Sequence, residues 1–347
     1  MIKDKASPNV LQTYSEARSI LDPLLSAAQL LGLLQGAHRS GLLAAARTPA
    51  SPAQLAAVTG IAESRVVDIC RALDAHEVLI QTDGQYQLAG PWLVLTAPNS
   101  PFLFEDILAI TFTQMKILTN AAGGDENYWT LTSEDRLATA KGVTINPASP
   151  QAPGALARNL REHISEIDAL FAAGGHYLEL GCGVGGGMLS FLQAYPKLTA
   201  VGVELAPDLL AVARQRALDL GVSDRVHFYE GDARDFQAPA QFDAVFWSQS
   251  FFPTASRAAA LRVAYQSLKP GGLLLATLQM WEPSIITGSL HTKEGREYAI
   301  TRIIHGGWGV PDAGAEALQQ EIEAAGFIEA KAVTLPSRRR ILARRPA

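Results

Sequence analysis

The residues whose types and spacing suit chemistry lie in one stretch, His176–Gly187, which reads H-Y-L-E-L-G-C-G-V-G-G-G. Tyr177, Leu178 and Leu180 favour a strand, and Met188-Leu189-Ser190-Phe191-Leu192 resumes a helical pattern. Between them, glycines at 181, 183 and 185 let the backbone turn sharply and approach a ligand without Cβ clashes. Strand, glycine loop, helix is the order in which a nucleotide-like ligand meets backbone N–H groups at a helix N-terminus. The glycine spacing departs from the dinucleotide pattern. Glu179 stands at the strand end.

Four more strands follow. Thr199–Glu204 closes on an acidic residue, a carboxylate suited to accept both hydroxyls of a ribose. Val226-His-Phe-Tyr229 ends in Glu230-Gly231-Asp232-Ala233, suited to an adenine amino group beside an apolar slot. Phe242–Ser248 leaves beside the same crevice, and Lys269-Pro270-Gly271-Gly272 turns into Leu273–Leu278.

With E-L-G-C-G-V-G, the acid at Glu204, G-D-A at 231–233 and K-P-G-G in this order, the last half of the chain resembles the class I S-adenosylmethionine-dependent methyltransferases. The resemblance implies an α/β, Rossmann-like, seven-stranded catalytic domain over 159–347. It implies S-adenosylmethionine as cofactor, contacted by Glu179, Gly181, Gly183, Glu204, Asp232, Ala233 and Ser248.

The elements ahead of that domain read differently. Ser15 to Ala46 is Ala/Leu-rich, with Ile20, Leu21, Leu24, Leu25, Ala28, Leu31 and Leu34 at helical steps, a face for another chain as much as for a core. Ser51 is placed to cap a short helix, Ala53–Val58, and Ala62–His76 is a second. Val78–Ile80 and Tyr86–Leu88 flank the turn signal Thr82-Asp83-Gly84. Helix, turn, helix, hairpin is a winged helix, assigned to residues 1–100.

A winged helix raises a DNA-binding regulator as a remote alternative. The recognition helix would offer Arg65 and Arg71 against Glu63, Asp68 and Asp74, without the basic surround that phosphates need. The plant phenolic O-methyltransferases and their bacterial antibiotic-pathway relatives carry such a domain for dimerisation, and the order here is similar to theirs. A homodimer is implied.

Residues 101–158 read as a helical connector and lid. Tyr128 and Trp129 follow Gly123-Gly124-Asp125 on a loop placed to close over the crevice, and the Pro-rich run from Lys141 to Gly154 reads as the interdomain connection. Asn159–Phe171 is expected as one helix before the glycine loop.

Composition bounds the rest. A chain of 347 residues, 48% hydrophobic and 18% charged, is long enough for two cores. The net charge of −5 argues against nucleic acid or an acidic membrane as the main partner. Cys70 and Cys182 give no disulfide framework. No apolar signal core or membrane-length run is present, so a cytoplasmic location is expected.

Methyl transfer from a sulfonium needs a nucleophile aligned with the C–S bond and, for some acceptors, a base. The plant phenolic enzymes supply a His after the fourth strand. Here that place reads Trp247-Ser248-Gln249-Ser250-Phe251-Phe252-Pro253, and Gln249 is no base at neutral pH. Among the histidines, His305 is favoured for a direct role, on a Gly-rich bend before Trp308. Phe252, Trp281, Trp308 and His291 are expected to line the acceptor pocket for a small, natural-product-type molecule.

A narrower resemblance is to the α-keto acid C-methyltransferases, which hold a metal. It makes Gln249 and His305 candidate ligands of a divalent or ferric ion, with Gln in place of the first His. A third reading keeps S-adenosylmethionine as a bound positive charge in a non-methylating cyclase. The C-terminus reads as a helix, Ala313–Ala325, and strands near 328–335 and 341–343, with Arg338-Arg339-Arg340 as a solvated turn.

Overall fold

The computed structural model describes residues 10–124, 127–279, 290–336 and 338–347. They fall into two compact units, residues 1–98 and 99–347, so the helices after residue 100 cluster with the sheet that follows them.

In the first unit, α1 (Val10–Ser19) and α2 (Asp22–Arg39) precede α3 (Leu42–Ala45), α4 (Pro52–Thr59) and α5 (Glu63–Ala75). Ser51 caps α4 reciprocally: its Oγ accepts from Gln54 N at 3.3 Å, and Gln54 Oε1 accepts from Ser51 N at 2.8 Å. Helix α5 buries Val66, Cys70 and Leu73, one stripe at helical spacing. Strands β1 (Leu79–Thr82) and β2 (Gln85–Leu88) pair antiparallel across Asp83-Gly84, both at positive φ, as a two-residue hairpin turn requires. A short α6 (Gly90–Leu95) closes the unit. The winged-helix order expected from the sequence is present.

Much of the α1–α2 surface stays uncovered. Tyr14, Ile20, Leu21, Leu24 and Leu25 are all exposed, and five residues of the pair enclose an open groove of about 260 Å³. No single helix among the described residues is long and apolar enough to cross a membrane.

The second unit begins with α7 (Phe104–Asn120) and α8 (Ser133–Gly142), then α9 (Ala152–His163) and α10 (Ser165–Ala173). The single helix expected over 159–171 is broken, because Ile164 adopts φ −140°, ψ 59°. Beyond it the chain alternates: β3 (His176–Leu180), α11 (Gly186–Ala194), β4 (Thr199–Glu204), α12 (Pro207–Asp219), β5 (Val226–Glu230), β6 (Phe242–Ser248), α13 (Thr254–Ser267) and β7 (Leu268–Thr277). It ends with α14 (Lys293–Gly307), α15 (Ala315–Ala324), β8 (Ile328–Thr334) and β9 (Arg339–Arg344).

The seven strands lie in the order β5-β4-β3-β6-β7-β9-β8, the first five parallel and β9 antiparallel to both its neighbours. The K-P-G-G turn is absorbed into the start of β7 as a register irregularity.

Helices cover both faces, which explains near-continuous apolar strands such as Leu273-Leu274-Leu275-Ala276. Leu178, Leu180, Val245, Trp247 and Leu274 pack towards α13 and α15; Tyr177, Ala244, Leu275 and Leu342 pack towards α9, α10 and α11. Each fully buried leucine is worth about 1.5–3 kcal/mol.

Two expectations are corrected. The Pro-rich run is not a free connection but is fastened inside this unit. Gln193 Nε2 donates to Pro147 O at 2.9 Å, and Arg338 Nη2 to Val143 O at 2.9 Å. Gly186 leaves room for Thr144 and Ile145, where any Cβ would overlap both. The three arginines are likewise no solvated turn: Arg338 is spent on Val143, and Arg339 and Arg340 begin β9.

Candidate functional site

The glycine loop closes over the ends of β3 and β4. Gly181 N and Cys182 N both donate to Val203 O, at 2.8 and 3.0 Å. Gly181 sits at φ +72° with the Phe252 ring 3.2 Å from where a Cβ would be, so a side chain there would be strained in backbone and tight against Phe252. Gly185, also at φ +72°, delivers the chain into α11.

Glu204 anchors this loop. It is 8% exposed; Oε2 accepts from Gly183 N at 2.8 Å and Oε1 from Ala206 N at 2.9 Å. Burial raises its carboxyl above the usual range, against those backbone N–H groups, which lower it. The Leu205 N–H lowers it as well, and a carboxylate's two oxygens offer about four acceptor positions in all. The anchoring role was not legible in sequence, since it depends on β4 lying beside β3.

Glu179 lies on the α9–α11 face, buried, and accepts from the Tyr177 hydroxyl at 3.1 Å. Burial pushes its carboxyl up to about 7. Asp232 is held by Arg234 at 2.6 Å and lies below its usual range for that reason. Ala233 is buried beside it, and Ser248 is half-buried at the end of β6. Leu205, directly after Glu204, presents apolar surface at 44% exposure; an apolar residue after a strand-terminal acid was the signal for it.

Gln249 is fully buried. Its Oε1 accepts from Arg257 Nη2 at 3.2 Å, and Nε2 has no partner. Arg257 also pairs with Glu321 at 2.6 Å and lies 5.1 Å over the Trp247 ring.

His305 corrects the expectation of a Gly-rich loop. It stands in the last turn of α14, whose start Thr292 caps, with Nδ1 buried and unpartnered. Burial, then Arg302, lowers it to about 4, so it is neutral at pH 7.

These residues do not fit a metal centre. The Gln249 oxygen that would ligate is already held by a cation, and no group of three His, Cys, Asp or Glu side chains is placed to hold a metal among the described residues.

The structure brings together an aromatic group that the sequence only scattered. Tyr128 meets Trp308, Phe251 and Trp129 edge-on at 5.4, 6.0 and 5.2 Å between ring centres. Phe251 stacks on Trp308 at 6.1 Å, and His305 lies 5.8 Å from Trp308. Burial, then the nearby Glu204 charge, pushes the Tyr128 hydroxyl well above the usual phenol range. Arg136 pairs with Asp208 at 2.8 Å and donates to Leu131 O, fastening this segment beside the start of α12.

Phe252 packs into the core against Trp247 and Gly181. His291 is exposed just before α14, and Trp281 lies outside the described residues.

The strand order and glycine loop define the class I S-adenosylmethionine-dependent methyltransferase fold, and residues 178–272 match the family described as "Methyltransferase domain". The chain thus contains a methyltransferase domain. It is 32% identical over 149 residues to erythromycin 3''-O-methyltransferase of Saccharopolyspora erythraea, covering 42% of this chain and 48% of that one. It is 32% identical over 100 residues to a ubiquinone biosynthesis O-methyltransferase of Pseudomonas fluorescens, covering 29% and 42%. The matched region thus spans less than half the length of these relatives. In fold, the chain is similar over 95% of its length, and 98% of the other's, to human N-acetylserotonin methyltransferase in complex with SAM, with TM-score 0.70 and 17% identity. The mitomycin 7-O-methyltransferase MmcR gives TM-score 0.69 at 17% identity over 97% and 100%.

Proposed function

We propose that this protein is an S-adenosylmethionine-dependent methyltransferase acting on a small, natural-product-type acceptor. The observation that carries the reading is Glu204, a buried carboxylate at a strand end, bonded to Gly183 N of the glycine loop and to Ala206 N. Its remaining lone pairs suit the two ribose hydroxyls, Leu205 offers apolar surface to the adenine, and Glu179 suits the methionine ammonium. Gly181 and Gly183 stand at the end of β3, Asp232 and Ala233 follow β5, and Ser248 ends β6 between the cofactor and acceptor sides; Asp232 must exchange part of its contact with Arg234 to meet the adenine amino group.

When bound, the cofactor supplies an electrophilic methyl on a sulfonium. The chain's part is to orient the acceptor and exclude water. Tyr128, Phe251 and Trp308 give an apolar flank for the acceptor, and His305 beside Trp308, neutral but only weakly basic at about 4, is the candidate base.

The test is calorimetry with S-adenosylmethionine, then incubation with phenol, amine and polyketide-like acceptors while S-adenosylhomocysteine is measured. Micromolar binding with acceptor-dependent S-adenosylhomocysteine is the expected result. Binding with product but no demethylated cofactor would instead support the cyclase reading.

The exposed α1–α2 face supports a homodimer through the first unit. Leu24→Glu, at a position 64% exposed, is expected to give a monomer in sedimentation.

A further inference from the structure

Ser248, Thr277 and Arg340 are successive cross-strand neighbours, at the ends of β6 and β7 and the start of β9. Direct neighbours share a sheet face, so the three side chains form one polar row over the α9–α11 side. Two atoms of this row are left over. Thr277 is 2% exposed with Oγ1 unpartnered, and Arg340 Nε is buried and unpartnered.

The Arg340 guanidinium lies 5.2 Å over the Phe246 ring, deep in the unit, yet Arg340 keeps part of its surface accessible. Glu179 shares the face, one strand beyond Phe246, and its charge acts on Arg340, but it is held by the Tyr177 hydroxyl and leaves Arg340 Nε without a hydrogen bond. Buried orphan donors beside a buried cation are costly unless a ligand satisfies them.

We propose that Ser248, Thr277 and Arg340 form a subsite for a ligand carboxylate. The planar guanidinium matches a carboxylate in two parallel N–H···O bonds, and the two hydroxyls donate to the remaining lone pairs. The proposal rests on the methyltransferase reading for what else occupies the cleft. The glycine loop and Glu204 stand at the ends of β3 and β4, whereas this row lies across β6, β7 and β9. The carboxylate is therefore the acceptor's, and the acceptor is an acid.

The experiment is equilibrium binding of 3-phenylpropionate and 4-hydroxybenzoate, each against its primary amide, with and without S-adenosylmethionine. Wild type, Thr277→Val and Arg340→Met are compared. In wild type the acids should bind about tenfold or more tighter than the amides. Thr277→Val, which keeps shape and removes the orphan hydroxyl, should weaken acids several-fold and leave amides unchanged. Arg340→Met should abolish the preference while S-adenosylmethionine affinity stays within about twofold.

Loss of S-adenosylmethionine affinity in Arg340→Met, with methylthioadenosine affinity retained, would keep the carboxylate subsite and reassign it to the cofactor's own carboxylate. Acid and amide affinities unchanged in a folded Thr277→Val, together with unchanged S-adenosylmethionine binding, would overturn the proposal even if Arg340→Met did not fold. Preference for acids without any S-adenosylmethionine binding would sink the methyltransferase reading and leave the subsite standing.

Discussion

Arg257 Nη2 donates to Gln249 Oε1 at 3.2 Å, and this one contact fixes which end of the Gln249 amide is free. The oxygen is occupied and the Nε2 group is the one left without a partner. Gln249 is therefore a held amide donor, not a base or a metal ligand. Glu321 holds the guanidinium from the other side through Nε at 2.9 Å and Nη2 at 2.6 Å.

Arg257→Ala should cost about 2–3 kcal/mol in urea unfolding, because it strands Gln249 Oε1 and uncovers Trp247. Glu321→Gln should cost about 1 kcal/mol or less, its carboxylate being 35% exposed and partly solvated. Equal losses in the two variants would contradict the assignment of Gln249 orientation to Arg257.

Glu204→Gln removes one of the two backbone-anchoring bonds and the charge. S-adenosylmethionine affinity should fall roughly 10- to 100-fold by calorimetry, the worth of a charge-assisted hydrogen bond. Unchanged affinity would show that the carboxylate only braces the loop.

Glu179 gives a signed pH dependence. Its carboxyl lies at about 7 in the fold against 4.5 when unperturbed, so the folded state holds the proton more tightly. The stability this confers is full below pH 4.5 and is lost as pH rises through 7, a difference of roughly 3 kcal/mol. Glu179→Gln should flatten the fall in unfolding free energy that wild type shows over this range. A variant that keeps the wild-type slope would place the titration elsewhere.

His305 runs in the opposite direction. Its value of about 4 lies below the usual 6.5, so its contribution to stability is full above 6.5 and lost as pH falls towards 4. Its imidazole resonances should titrate near 4, and turnover should show no limb near 6.5 that His305→Asn removes. A midpoint at 6.5 would mean that the ring is solvated.

Most of the fold was written locally. The alternation of apolar runs with helical patterns, the glycines at 181, 183 and 185, the acid at 204 and the Ser51 cap each depend on residues within a few positions of one another. Short-range sterics and hydrogen bonding decide them, so the strands, the winged-helix order and the glycine loop could be read directly. The break at Ile164 and the helical setting of His305 escaped, because packing and capping outweigh weak local propensity at element ends.

The site was legible only in part, for a physical reason. Which end of the Gln249 amide is engaged depends on Arg257 and Glu321, the latter more than seventy positions away in the chain. The row Ser248, Thr277, Arg340 exists because β9 returns antiparallel beside β7, a register that no local pattern encodes. Tyr128 joins Phe251 and Trp308 in the same way, through long-range packing. The sequence by itself determined the glycine loop and the strand that feeds it; tertiary structure decided which polar groups are satisfied and which are left without a partner, because hydrogen-bond satisfaction and burial depend on neighbours in space.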